Sequence, residues 1–134
     1  MRGASALEAV LADHPAREIR AFVVWEPVLW TDVAPPRDGV LALLQDARGR
    51  QYWDPDKLLS SAWVAATQAA PGAWNLEQGL SADTVVWDVV ALYPPGPRWE
   101  QHPPAPQFAG YPVVDALDGL RRELGTLVGS PPRP

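Results

Sequence analysis

Two apolar runs, Ile19–Trp25 and Val85–Tyr93, constrain the fold more than anything else in this chain. The first is nearly continuous and rich in β-branched residues, so it reads as a strand buried on both faces. Burial of that kind requires helices above and below a parallel or mixed sheet. Pro27 releases this strand from its ladder. The second run gives the clearest strand in the sequence, closed by the rigid turn Pro94-Pro95-Gly96-Pro97, after which Arg98-Trp99-Glu100 is expected as a short returning edge strand.

Helical signals surround these strands. Ser5 and Glu8 form a capping-box signature, with Leu7, Val10 and Leu11 at helical spacing and Pro15 as the stop. A second helix is expected after Pro35-Pro36, with Val40, Leu41, Leu43 and Leu44 as its stripe and Gly49 near its end. In the third, Asp54 is the expected N-cap, Pro55 opens the helix and Asp56 lies in an acidic first turn. Its buried face is Leu58, Leu59, Ala62, Trp63 and Ala66, and Pro71-Gly72 close it. Residues 72–84 read as a loop from which Trp74 and Leu76 fold back on the core. Residues 103–112 read as a proline-rich surface segment. The last helix begins near Pro112, with Val113, Val114, Leu117, Leu120 and Leu124 inward, Asp115 and Asp118 early, and Arg121 and Arg122 late. Residues 1–129 form one expected domain, and 130–134 a frayed tail.

Composition narrows the chemistry. The chain has 134 residues and no cysteine, which excludes a disulfide framework, a zinc–thiolate site, an iron–sulfur cluster and thiol redox catalysis in these residues. A net charge of -5 without any Lys/Arg cluster argues against nucleic acid and anionic membrane surfaces as partners. No stretch approaches the ~18 apolar residues of a membrane span, and the N-terminus lacks the apolar core of a signal peptide. A soluble cytoplasmic protein without cofactor or metal is the expectation. His14 and His102 both precede proline and make no ligand set.

The segments Phe22-Val23-Val24-Trp25-Glu26-Pro27-Val28-Leu29, Tyr52-Trp53-Asp54 and Trp87-Asp88-Val89, with the turn Tyr93-Pro94-Pro95-Gly96-Pro97-Arg98-Trp99, resemble an uncharacterised bacterial thioredoxin-like family. The likeness spans roughly residues 5–100. It implies an α/β fold, a thioredoxin-like three-layer sandwich with a mixed sheet. Relatives of this kind carry an opening strand and a Cys-x-x-Cys at the start of the first helix. Here that helix opens at Ser5, so the first β-strand and the motif are both missing. The family also places a cis-proline before the later strand, whereas Ser81-Ala82-Asp83-Thr84 contains no proline. Either Met1 is an internal methionine of a longer, truncated protein, or the chain is a degenerate relative whose sheet closes by direct pairing or dimerisation. The smooth entry into a helix at Ser5 favours truncation.

The functional expectation is therefore a redox-inactive thioredoxin-like domain. The alternative is a non-enzymatic interaction module or homo-oligomer, binding another protein or itself through an exposed strand edge. The candidate groove comprises Trp25, Glu26, Pro27, Thr84 and Val85, at the end of a buried strand where α/β proteins form ligand crevices. A core tryptophan and a solvated glutamate would explain Trp25 and Glu26 equally simply, and that plainer explanation is preferred. No catalytic residue is assigned. A hydrolase using Glu26, Asp54, Asp88 or His102 is the weakest option: capping accounts for Asp54, while an ion pair with Arg20 or Arg98, or exposure, accounts for Asp88. Most of the seven tryptophans are expected to pack in the core, with Trp30, Trp74 and Trp99 as the ones expected to be partly exposed.

Overall fold

The computed structural model describes residues 2–15, 18–70, 72–74, 85–100 and 102–129. It is a mixed α/β structure in the order α1 (Arg2–Ala12), β1 (Ala21–Trp25), α2 (Asp38–Leu41), β2 (Gly49–Trp53), α3 (Leu58–Ala69), β3 (Val90–Leu92), β4 (Phe108–Gly110) and α4 (Val113–Gly129). The strands form two separate two-stranded sheets, not one mixed sheet. β1 and β2 run parallel, with Ala21 opposite Gly49 and Trp25 opposite Trp53. β3 and β4 run antiparallel, with Val90 opposite Gly110 and Leu92 opposite Phe108.

Helices join the two ribbons. Val10 of α1 with Leu120 and Leu124 of α4 forms a core against which Ile19, Val90, Leu92 and Phe108 pack. Leu11 from the same helix is buried with Ala21 and Leu44, and Leu7 and Val23 pack on them. The opposite face of β3 belongs to α3, whose Trp63 and Ala66 pack with Trp74 against Val89 and Ala91. Val90 and Leu92 thus point one way and Ala91 the other, as strand alternation dictates, and β3 has helices on both faces. The inner stripe of α4 is as its sequence spacing predicts, and Arg121 near its end pairs with Asp13 at 3.2 Å.

Several elements depart from their sequence signals. α1 starts at Arg2, so Ser5 is inside the helix and the capping box does not form. Glu8 instead accepts the backbone N–H groups of Gln45 at 3.0 Å and Asp46 at 3.1 Å. α2 is a single turn, and Gly49 opens β2, a strand the sequence did not announce. Arg48 ties that strand to the end of α1, donating to the carbonyls of Leu11 and His14 at 2.7 Å each, where cations suit a helix C-terminus. α3 begins at Leu58. Asp54–Lys57 is a turn, and Lys57 adopts the left-handed region at φ 56°.

The run from Val85 to Tyr93 contracts to three strand residues. Asp88 sits at φ 56°, a conformation that aspartate tolerates better than most residues, and it breaks the extended run. Asp88 is exposed, as one of its two expected explanations required. Arg98–Glu100 is not a strand. The return strand is Phe108–Gly110, inside the stretch expected to be a plain surface segment. Trp74 is buried against Trp63, with ring centroids 5.4 Å apart, whereas Trp30 and Trp99 are exposed. Leu76, Pro71 and residues 130–134 lie outside the described residues. No helix among the described residues is long and apolar enough to cross a membrane.

Candidate functional site

β1 and β2 end side by side, and the residue after each strand is a carboxylate: Glu26 after Trp25, Asp54 after Trp53. Both carboxylates serve the first turn of α3, whose early N–H groups have no partner within the helix. Asp54, the expected N-cap, accepts the N–H of Leu59 at 2.9 Å from three residues before the N-cap position, which Lys57 occupies. Glu26 accepts the N–H of Ser60 at 3.0 Å through one oxygen and the Ser60 hydroxyl through the other. Ser60 Oγ in turn accepts the N–H of Val86 at 2.8 Å. One hydroxyl therefore links the end of β1, the start of α3 and the approach to β3.

The Glu26 pKa is raised above its usual value. Burial of the carboxylate is the main cause, hydrogen bonds from Ser60 oppose it, and the neighbouring Asp54 adds to it. The arrangement resembles a base beside a nucleophile only superficially. Ser60 is 2% exposed, and both its donor and one of its acceptor directions are used within the fold. The other residues offered for hydrolysis lie elsewhere: Asp88 is next to Gly3 of α1 and Val113 of α4, and His102 is on an exposed loop. No group of three or more His, Asp or Glu residues able to hold a metal ion occurs among the described residues.

Of the candidate groove residues, the structure joins Glu26 to the segment following Val85, through Ser60. Trp25 is directed to the other face of β1, where its indole N–H donates to Gln51 Oε1 at 3.0 Å. Gln51 completes that link by donating to the carbonyl of Leu41 at 2.8 Å. Pro27 and Val85 are half-buried, and Thr84 lies outside the described residues. Sequence reasoning missed Ser60. The available signal was a polar residue on the apolar stripe of α3, three residues before Trp63 and four before Val64.

The second feature is the outer edge of β1. Ala21 donates its N–H to Arg48, and Trp25 accepts the N–H of Asp54, so the odd-numbered residues direct their backbone groups toward β2. By alternation Phe22 and Val24 direct theirs away from it. Neither has a backbone partner among the described residues. The Phe22 side chain is 61% exposed and touches Tyr52 of β2, with ring centroids 6.3 Å apart. Across the molecule, Leu92 accepts the N–H of Gln107 at 2.8 Å, so its neighbour Ala91 directs its backbone groups away from β4. Further along, the buried Trp63 indole N–H and the neighbouring Tyr93 hydroxyl each make no hydrogen bond among the described residues. Burial pushes the Tyr93 pKa up to about 12. Comparison of the chain with family models, with curated proteins and with solved structures finds no match.

Proposed function

We propose that this chain is a cysteine-free, redox-inactive thioredoxin-like domain that works as a protein-interaction module by accepting a strand along the free edge of β1. One observation carries the reading: among the described residues, four strands are divided into two ribbons, with helices on both sides but no ladder joining them. Open edges of this kind attract other chains, because unpaired N–H and C=O groups gain hydrogen bonds there without rearrangement. The order of helices and strands and the likeness over residues 5–100 support the thioredoxin-like part of the reading. The absence of cysteine supports the redox-inactive part.

Amide hydrogen exchange on the isolated chain tests the edge. The N–H groups of Ala21, Val23 and Trp25 should be slowed by pairing with β2, and those of Phe22 and Val24 should exchange rapidly. Equal protection along all five residues would mean that the edge is already occupied, and the reading would be wrong. Turnover of insulin disulfides by this chain would overturn the redox-inactive part separately.

A further inference from the structure

We infer that two copies of this chain associate by docking the turn at residues 28–33 of one onto the open face of the β1–β2 pair of the other. Trp30 then lies on Phe22 and Tyr52, and Asp32 meets the arginines beside them. The contact uses the face of that strand pair, not its edge, and so goes beyond the strand-accepting reading above. Parallel strands ordinarily have both faces covered. Here one face is: Ala21 and Val23 pack with Leu11 and Leu44. On the other, Phe22 is 61% and Tyr52 52% exposed, with ring centroids 6.3 Å apart and planes tilted by 32°. Arg50 stands opposite Phe22 in the register, and Arg20, one residue before β1, falls on the same side by alternation. Both arginines are exposed, and neither has a carboxylate partner among the described residues. Arg50 donates to the carbonyls of Ala47 at 2.8 Å and Gly49 at 3.0 Å.

The turn supplies the matching surface. Leu29 is 62%, Trp30 92% and Val33 87% exposed, so this segment packs little of its apolar surface within its own chain. It is nevertheless held in shape. Asp32 Oδ2 accepts the N–H groups of Val28 at 3.1 Å and Leu29 at 2.8 Å, and Asp32 donates its own N–H to the Leu29 carbonyl at 2.9 Å. A turn fixed in this way loses little conformational freedom on docking. Asp32 Oδ1 makes no hydrogen bond among the described residues, so an arginine can reach it without loosening the turn. A tryptophan set on two aromatic rings with guanidiniums alongside gains both ring packing and cation–π attraction. The chain therefore carries two exposed apolar patches of opposite local charge: one flanked by two arginines, the other holding a half-used carboxylate. Charges matched in this way are what orient a docking surface, and a second copy already brings the missing half. Because the contact joins two different surfaces, its halves can be disabled separately.

Sedimentation of the full chain over a wide concentration range tests this, since one turn on one sheet face makes a small and therefore weak interface. The parent should self-associate. Trp30→Ser removes the turn's anchor and Phe22→Lys removes the face; each should weaken association at least ~10-fold. Both positions are exposed, so both variants should keep the parent's thermal midpoint. The double variant Arg20→Glu/Arg50→Glu, which leaves both aromatic rings in place, repels Asp32 and should weaken association as well. The deciding sample is an equimolar mixture of Trp30→Ser and Phe22→Lys. Each then offers the half that the other lacks, and a 1:1 complex should form at concentrations where either variant alone is monomeric. Mixed variants that stay monomeric would mean that each patch meets its own kind, and the inference would be wrong. Parent-like association of Trp30→Ser, or a parent that remains monomeric at its highest soluble concentration, would also overturn it. None of these results touches the strand-edge reading, which stands or falls on hydrogen exchange within β1.

Discussion

Glu26 illustrates how one side chain can hold three segments and still carry an electrostatic penalty. Its folded pKa is raised, chiefly by burial, so the folded state holds a proton more tightly than the unfolded chain does. The stability associated with this group is greatest below its ordinary value of 4.5 and declines as pH rises through the raised folded value. Replacing it by Gln removes the titration and preserves an acceptor for the Ser60 N–H. The Glu26→Gln protein should therefore show a flatter dependence of the urea midpoint on pH from about 4.5 upward than the parent. An identical slope in the two proteins would mean that Glu26 does not sense its burial. Asp46 works in the opposite direction. The Arg48 guanidinium lowers its pKa to about 2, so its contribution is present above the ordinary value and lost as pH falls toward 2. Asp46 and Arg48 are accessible enough to water that salt will weaken this second effect.

At the level of elements, β4 and α4 approach each other at glycine. A Cβ on Gly110 would lie 2.7 Å from that of Ala116. The Ala116 methyl is fixed to the helix and has no rotamer by which to withdraw. Gly110→Ala should cost about 1–3 kcal/mol in urea denaturation, despite the usual gain from removing a strand glycine. A neutral or stabilising result would show that β4 and α4 can separate freely. Much of α4 was legible in sequence because its stripe from Val113 to Leu124 repeats at helical spacing over several turns. β4 was not, since three residues among prolines carry no periodicity and form a strand only because β3 lies alongside. β2 was hidden differently: Arg50 and Gln51 interrupt its apolar pattern, and Gln51 is useful there for its amide, which joins Trp25 to Leu41. The run from Val85 to Tyr93 over-read itself, because Asp88 could take a left-handed turn that composition alone does not show. Of the candidate site, Glu26 was visible as a strand-end carboxylate. Ser60 was not, since its role depends on Val86, 26 residues away.

For the whole molecule, the divided sheet leaves apolar surface beside backbone that is unpaired among the described residues. Phe22 lies on that edge, and association of the chain at high concentration should depend on it. Phe22→Lys places a charge on the edge, a common device against unwanted pairing, and should reduce concentration-dependent association in sedimentation without changing the thermal midpoint by more than a few degrees. Unchanged association would locate self-contact elsewhere, for instance at Trp30, which is 92% exposed with Leu29 and Val33 nearby on a turn held by Asp32. The Ser60 hydroxyl has a consequence for the order of assembly. It closes chain loops of 34 and 26 residues at once, whereas β4 and α4 meet across a few residues of chain. Closing loops of such lengths costs more chain entropy, so the β4–α4 unit is expected to form before the serine link. In kinetic terms, loss of the Ser60 hydroxyl is expected to speed unfolding, followed by stopped-flow in urea, more than it slows folding.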